Sequence, residues 1–352
     1  MITDRGGLTL DAEAMFAARQ RWQTRAKPPG ALGTLEDLAC KLAGITGRCP
    51  PLPPTRPVVV LFAGDHGVVA EGASAWPQEI TAAMVATIAS GGAAINAFAK
   101  VIGADVWVVD VGVASSGPAA VSASGGESES CLGVVNRRVQ AGTGNIAREP
   151  AMTRSDASEA VEVGRALAAE AIDAGADCLV GGEMGIGNTT PSAALIATCA
   201  DRSAEHVTGP GAGTPADGLD HKRRLVDAAV ARAAGIEDPI DLLAAIGGFE
   251  IAALGGFYTA AATRRVPFIV DGVIAAAALC VADRMCPGTA TMAIAGHRSS
   301  EPAATVALEH LGLEPILDLD LRLGEGTGAA LAVPLVQAAA TALADMADLP
   351  EG

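Results

Sequence analysis

The sequence predicts an α/β fold: one large domain on a mostly parallel sheet with helices on both faces, plus an accessory element. Three observations lead there. Short apolar runs, often β-branched, recur along the chain; each leads into a polar or Gly-rich loop; a helical segment follows. Strands buried on both faces read as near-continuous apolar runs, and their alternation with helices signals a parallel sheet. The 352 residues leave room for such a domain and for the accessory element.

Residues 1–50 read as helical, with helices at roughly 11–25 and 34–46. Between them KPPGALG (27–33) is a turn that two prolines hold extended. Thr34 followed by Asp37 resembles a capping box with Asp in the Glu position. The Pro-rich CPPLPPTRP (49–57) then acts as a linker. The clearest strand runs are VVVLFAGDHG (58–67), DVWVVDVG (105–112), DCLVGGEMG (177–185) and VPFIVDG (266–272). TATMAIAGHRSS (289–300) and EPILDLDLRLGEG (314–326) continue the series less cleanly. Helices are expected at 78–90, 155–174, 189–200, 220–234, 249–263, 273–284 and 301–311. SSGPAAVSASGGESES, within 114–130, reads as an exposed, mobile loop, and RVQAGTGNIAREP as an ordered irregular segment.

The uncharged stretch 326–344 approaches membrane-spanning length. Gly326, Gly328, Pro334, Gln337 and an apolar content dominated by Ala favour a buried helix instead. A net charge of −16 argues against a nucleic-acid partner, which would need a basic face. Only 3 % aromatic residues argue against a base-stacking platform. Seven cysteines (40, 49, 131, 178, 199, 280, 286) form no C-x-x-C pair and fit a reducing compartment, with Cys178 and Cys280 as buried thiols. MITDRGGLTLDAEAMF carries no apolar signal core, so the expectation is a soluble cytoplasmic protein.

In an open parallel sheet, ligands bind beyond the carboxyl ends of the strands. Those ends carry Asp65 and His66, Asp110, Glu183, Asp271, His297-Arg298-Ser299 and Glu325, which points to one shared site. GEMGIGNTTPSAAL is the best phosphate candidate: its glycines let backbone approach an anion, and Asn188, Thr189 or Thr190 can start a helix whose free N–H groups attract it. It lacks the P-loop lysine and the G-x-G-x-x-G order. His66 and His297 have no second His or Cys at ligand spacing, so hydrogen bonding is expected of them rather than metal binding. Lys222 reads by default as a solvated helix charge. Two adjacent acids before a Thr/Gly-rich turn, the usual element of enzymes that use phosphoribosyl pyrophosphate, do not occur; Leu319 separates Asp318 from Asp320. Glu325, between glycines at the head of an uncharged run, is either a cap for the helix that follows it or a reactive carboxylate.

Eight segments, in order, carry a resemblance: KPPGALGTLEDLA, FAGDHGV, EGASAWPQEIT, GGAAIN, GEMGIGNTTPSAAL, GGFEIAALGG, VDGVIAAAAL and LRLGEGTGAALAVPL. From about residue 27 to 346 the chain resembles the nicotinate-nucleotide–dimethylbenzimidazole phosphoribosyltransferase family. The resemblance implies a three-layer Rossmann-like catalytic domain (55–325) and a small helical domain from terminal segments (1–50 and 326–352). It implies a homodimer that transfers phosphoribose from nicotinate mononucleotide to 5,6-dimethylbenzimidazole, for the lower ligand of cobalamin, with neither cofactor nor metal.

Residue by residue, it makes Glu325 the general base. Glu183, Gly185, Ile186, Gly187, Asn188, Thr189, Lys222, Ser299 and Gly324 would bind the nucleotide and its phosphate. Trp76, Met84 and Leu323 would line the benzimidazole pocket, with Asp65, His66 and Asp271 as possible supports. The family's usual SHxS is GHRS here, which keeps Ser299 but removes a hydroxyl at Gly296. The alternatives are the same transfer to another base such as adenine or a phenol, or a non-catalytic nucleotide-binding regulator. The glycines beside Glu325 would give clearance for a flat aromatic substrate.

Overall fold

The computed structural model describes residues 7–115, 133–215 and 218–350. Most of the loop expected at 114–130 lies outside them, as does Cys131. The chain opens with α1 (Ala12–Thr24) and α2 (Thr34–Thr46), then β1 (Pro57–Gly64), a 3-10 turn at Gly67–Glu71, α3 (Ile80–Ala89), α4 (Ala94–Ile102), β2 (Asp105–Gly112) and β3 (Val135–Asn136). There follow α5 (Arg154–Asp173), β4 (Cys178–Met184), α6 (Thr189–Ala200), α7 (Ala204–Val207), α8 (Leu219–Ala233), α9 (Pro239–Ile246) and α10 (Phe249–Thr263). The last part holds β5 (Phe268–Val270), α11 (Val273–Met285), α12 (Thr289–Met292), β6 (Ala293–Ala295), β7 (His297–Arg298), α13 (Pro302–Leu311), β8 (Leu317–Asp318) and α14 (Thr327–Asp345).

Every residue of β1 is buried, as its unbroken apolar run requires of a central strand. The six-stranded sheet runs β3-β2-β1-β4-β5-β6, with each neighbouring pair parallel. The chain moves outward from β1 to β3, then restarts at β4 on the other side of β1. Strand order therefore reverses between β1 and β4, where their carboxyl ends leave a crevice. The two sheet faces can be told apart at β4, because successive side chains point to opposite sides. A Cβ on Gly181 would meet Leu254 and Tyr258 of α10, whereas one on Gly182 would lie 2.6 Å from the carbonyl oxygen of Glu325. Thus α10 covers one face, and the turn leading into α14 covers the other.

Outside α10 lies α5, in backbone contact with it: a Cβ on Gly164 would come within 1.7 Å of Ala253 O, and one on Gly256 within 1.9 Å of Val161 O. These helix-interior glycines cost about 1 kcal/mol each in propensity, and the close packing they permit offsets it. The terminal segments meet each other. Arg21 Nε and Nη2 donate to Leu343 O and Ala344 O at 2.8 Å, and Arg25 Nη1 donates to Met346 O. By composition, Thr327–Asp345 and Ile80–Ile102 are each apolar and long enough to cross a membrane. The first is α14, packed on α2, α4, β4 and β5; the second is two helices parted at Gly91 and Gly92.

Several local expectations need correction. Gly33, not Thr34, is the N-cap of α2, and no side chain caps that helix; Glu36 Oε1 instead accepts Leu32 N at 3.0 Å. TATMAIAGHRSS is divided between α12, β6 and β7, and EPILDLDLRLGEG contributes only the two residues of β8. Besides the four-residue α7 and α12, two longer helices were not anticipated. α9 has a readable start, with Asp238 capping Ile240 N and Asp241 N and Pro239 in the first turn. α4 has a weaker one, Asn96 Oδ1 accepting Ala93 N at 3.0 Å, while another of its free N–H groups is served by a residue distant in sequence.

Candidate active site

β1 ends in Asp65 and His66, while β4 delivers Glu183 and then the Gly185–Gly187 turn, which opens into α6. Asn188 Nδ2 donates to Glu183 Oε2, and Thr81 Oγ1 of α3 accepts Ile186 N at 3.0 Å, so side chains fix this turn from two sides. Glu183, Gly185, Ile186, Asn188, Thr189, Ser299, Leu323 and Gly324 line one cleft. The sequence separates these residues by up to 141 positions (324 − 183), and the parallel sheet brings them to one edge.

Glu325 is buried and has φ +62, between Gly324 at φ +88 and Gly326 at φ +83. A non-glycine residue in the left-handed region costs of order 1 kcal/mol and persists where its surroundings over-determine it. Asp271 supplies that constraint. Its Oδ2 accepts Gly326 N at 3.2 Å and its Oδ1 accepts Ala329 N at 2.9 Å, so Asp271 caps α14. His297 Nε2 stands 3.3 Å from Asp271 Oδ1 and braces it. Of the two roles left open for Glu325, capping of the helix that follows it is not the one observed: its Oε2 accepts Ile95 N, 3.3 Å away, in the first turn of α4. The flanking glycines have their own reasons, the left-handed backbone and close approach to β4. A Cβ on Gly324 would lie 2.3 Å from Glu183 Oε1, and one on Gly326 would lie 3.3 Å from Gly182 Cα.

Two carboxyls on this edge, Glu183 and Glu325, are raised by burial and by neighbouring acids. Burial, followed by the charges of Glu250 and Asp271, pushes the Glu183 carboxyl up to about 8, against the opposing Asn188 hydrogen bond. Burial also raises Glu325, the Ile95 N–H opposes it, and Asp271 adds to the rise. Near neutral pH Glu183 thus carries a proton to donate, while Glu325 is the less perturbed of the two. Lys222 is not the solvated charge its sequence context suggests. It is buried, donates to Thr189 Oγ1 at 2.8 Å and to Gly209 O at 2.9 Å, and is pushed down to about 8 by burial. An ammonium has three N–H donors, so one remains beyond those two bonds.

Of the three residues assigned to the base pocket, Leu323 alone lines this cleft. Trp76, half exposed, donates from Nε1 to Ala212 O at 3.0 Å across the cleft mouth, and Met84 sits on α3, which Thr81 ties to Ile186. Ser299 is buried and its Oγ accepts Glu301 N at 3.4 Å. Asp65 lies to one side, accepting Ala114 N at 2.8 Å, and His66 pairs with Glu250 below the turn. Sequence reasoning missed Thr81, Glu250, Glu301 and Arg322. Arg322 lies inside the LRLGEG segment and reaches Gly211 O at 3.3 Å; Glu301 Oε1 accepts Gly211 N at 2.8 Å. Glu250 follows paired glycines at a helix start, a signal that could have been read.

The phosphoribosyltransferase family model matches residues 8–352, which include every residue named above. The nicotinate-nucleotide–dimethylbenzimidazole phosphoribosyltransferase of Salinispora tropica is 48 % identical over 345 residues, covering 96 % of this chain and 94 % of that one. This chain belongs to that phosphoribosyltransferase family. The enzyme of the same name from Mycobacterium tuberculosis is 46 % identical over 344 residues, covering 97 % of this chain and 92 % of its own. A solved phosphoribosyltransferase structure of that name from Thermus thermophilus superposes with a TM-score of 0.88 at 44 % identity, covering 96 % of this chain and 97 % of that one. Phosphoribosyltransferase membership agrees with the crevice at the strand-order reversal, and the Rossmann-like architecture expected from the resemblance is the one observed.

Proposed function

We propose that this chain transfers phosphoribose from nicotinate mononucleotide to 5,6-dimethylbenzimidazole, giving α-ribazole 5′-phosphate and nicotinate, with Glu325 as general base. The observation that carries it is the buried Glu325 carboxylate, which has no cationic partner among the described residues and directly follows the cleft-lining Leu323 and Gly324, on a turn that Asp271 anchors through Gly326 N and Ala329 N. The reading is strengthened by the names of the relatives, with which the chain shares nearly half its residues.

The donor's leaving group is a pyridinium nitrogen. As a benzimidazole nitrogen bonds to C1′, the C1′–N bond to pyridinium breaks, and its electron pair neutralises the departing ring. Attack opposite the leaving ring converts β to α at C1′. The second benzimidazole nitrogen becomes acidic as the new bond forms, and its proton passes to Glu325. Such a base contributes about 10²–10⁴-fold, so positioning of the two rings supplies much of the rest. The acid-rich edge suits positive charge at the ring and at C1′. The nucleotide turn, Lys222, Ser299 and Gly324 take the nucleotide and its phosphate; Trp76, Met84 and Leu323 take the incoming base.

The same reading divides the chain into terminal helical and central catalytic units at 1–50, 55–325 and 326–352, and makes it a homodimer. Much of Ile80–Ile102 is unburied in the single chain, and Phe16 and Val101 are exposed apolar side chains that a second copy would cover. It places the protein in the cytoplasm, in keeping with free thiols at all six described cysteines. Incubating purified protein with both substrates and following α-ribazole phosphate by chromatography tests the transfer. No product at any pH would overturn it.

A further inference from the structure

A buried pair that the proposed transfer leaves unused lies beneath the nucleotide turn. His66 Nε2 is 2.7 Å from Glu250 Oε1, and the two side chains are 1 % and 0 % exposed. Among the described residues no lysine or arginine forms an ion pair with Glu250, so His66 is its counter-charge. Three stretches of bare backbone enclose the pair. A Cβ on Gly185 would lie 2.3 Å from Gly64 O, 3.3 Å from His66 Nε2 and 3.5 Å from Glu250 Oε1. One on Gly248 would lie 2.5 Å from His66 Cε1, and one on Gly64 would lie 2.9 Å from Glu250 Oε2. Gly185 in turn accepts Asn188 N at 3.2 Å through its carbonyl, and Asn188 holds Glu183.

Stability does not explain the pair. Burying two charges costs more than their attraction returns unless the remaining polar atoms are satisfied. Here His66 Nδ1 and Glu250 Oε2 have no hydrogen-bond partner among the described residues. What the pair does supply is a fixed, incompressible floor under Gly185, at the start of the turn.

We propose that His66 and Glu250 are positioning residues for the nucleotide turn, their pairing holding Gly185 so that Glu183, Asn188 and Thr189 meet the nucleotide in one geometry. This rests on the reading that the turn takes nicotinate mononucleotide. The charged groups facing the pair are Asp65 beside His66 at the end of β1, and Glu183 on β4. Burial disfavours the imidazolium, but Glu250 and Asp65 outweigh it, so His66 is raised above its ordinary value. The imidazolium that completes the pair is therefore present below that raised value and is lost as pH rises through it.

Calorimetric titration of nicotinate mononucleotide into wild type, Glu250→Gln and His66→Gln across pH about 5 to 9 tests this. Each variant is expected to bind the nucleotide about tenfold more weakly near neutral pH, with the KM for dimethylbenzimidazole within about twofold of wild type. The alkaline weakening of binding moves to lower pH in Glu250→Gln, and its His66 component disappears in His66→Gln. The step from Lys222, near about 8, persists in all three. Unchanged nucleotide affinity and pH dependence in both variants overturns the proposal, as does a uniform loss that follows thermal stability alone. Should the variants not fold, ¹⁵N-histidine NMR of wild type decides: His66 must titrate higher with nucleotide bound, and an unmoved titration overturns it. A wild type that binds no nicotinate mononucleotide refutes the transferase reading itself, a result distinct from intact binding that ignores both substitutions.

Discussion

The carboxylate of Glu325 accepts the backbone N–H of Ile95, 230 positions earlier, at 3.3 Å. The proposed base thus sits at the N-terminus of α4, where the helix dipole favours its ionised form, while Asp271 caps the helix that Glu325 itself precedes. The proposed catalytic role is thus compatible with capping, on a helix other than the adjacent one.

Replacing Glu325 by Gln keeps the shape and the Ile95 hydrogen bond but removes the base. The expected result is a fall in kcat of about 10²–10⁴-fold with nucleotide affinity nearly unchanged. In wild type, burial raises this carboxyl, so activity is present above its raised value and lost as pH falls through it. Steady-state rates against pH should show an acid limb that Glu325→Gln lacks.

Lys222 is pushed down to about 8, so its charge, and the phosphate attraction proposed for it, fades as pH rises through that value. Lys222→Met should raise the nucleotide KM by about tenfold or more and flatten that alkaline decline. A KM series from neutral to alkaline pH measures both.

Glu183 is raised from the ordinary 4.5 to about 8, so the folded state holds its proton more tightly than the unfolded chain does. The resulting stability is complete below 4.5, declines as pH rises, and is gone above about 8. Glu183→Gln, a permanently neutral mimic, should flatten the fall in Tm across that window, as differential scanning fluorimetry would record.

Asp271→Asn retains one acceptor oxygen of the two that cap α14. A loss of about 1 kcal/mol in stability is expected, in the range of other lost caps. A fall in kcat larger than the change in nucleotide affinity should accompany it, because the Glu325 turn loses its anchor. Denaturant midpoints and single-turnover rates separate the two effects.

Gly164→Ala sets a methyl where Ala253 O lies 1.7 Å away, forcing α5 from α10. Overpacking of this kind costs about 1–3 kcal/mol, and backbone contact places it at the upper end. The denaturation midpoint should fall, and the pH profile of the remaining activity should keep its shape.

The strand runs of β1, β2 and β4 were legible because strands buried on both faces must be apolar throughout, whatever lies beside them. α4 was not, since its first turn depends on Glu325 and on Asn96, and only the first of these is remote. The site residues grouped at the strand ends were legible for a similar reason: a parallel sheet sends every carboxyl end to one edge. Lys222 was misread because a lysine's surroundings are not written in its neighbours. Here Gly209 O and Thr189 Oγ1, on other elements, satisfy and bury it.

By itself, the sequence determined the alternation of strands and helices, the set of polar strand ends and the segment order that marks the family. These follow from periodicity and residue chemistry within short windows. Only the tertiary structure decided which helix Glu325 caps, which acid braces its turn, and that His66 and Glu250 meet beneath Gly185. Hydrogen bonds and buried charges depend on distance in space, and 184 residues separate that last pair along the chain.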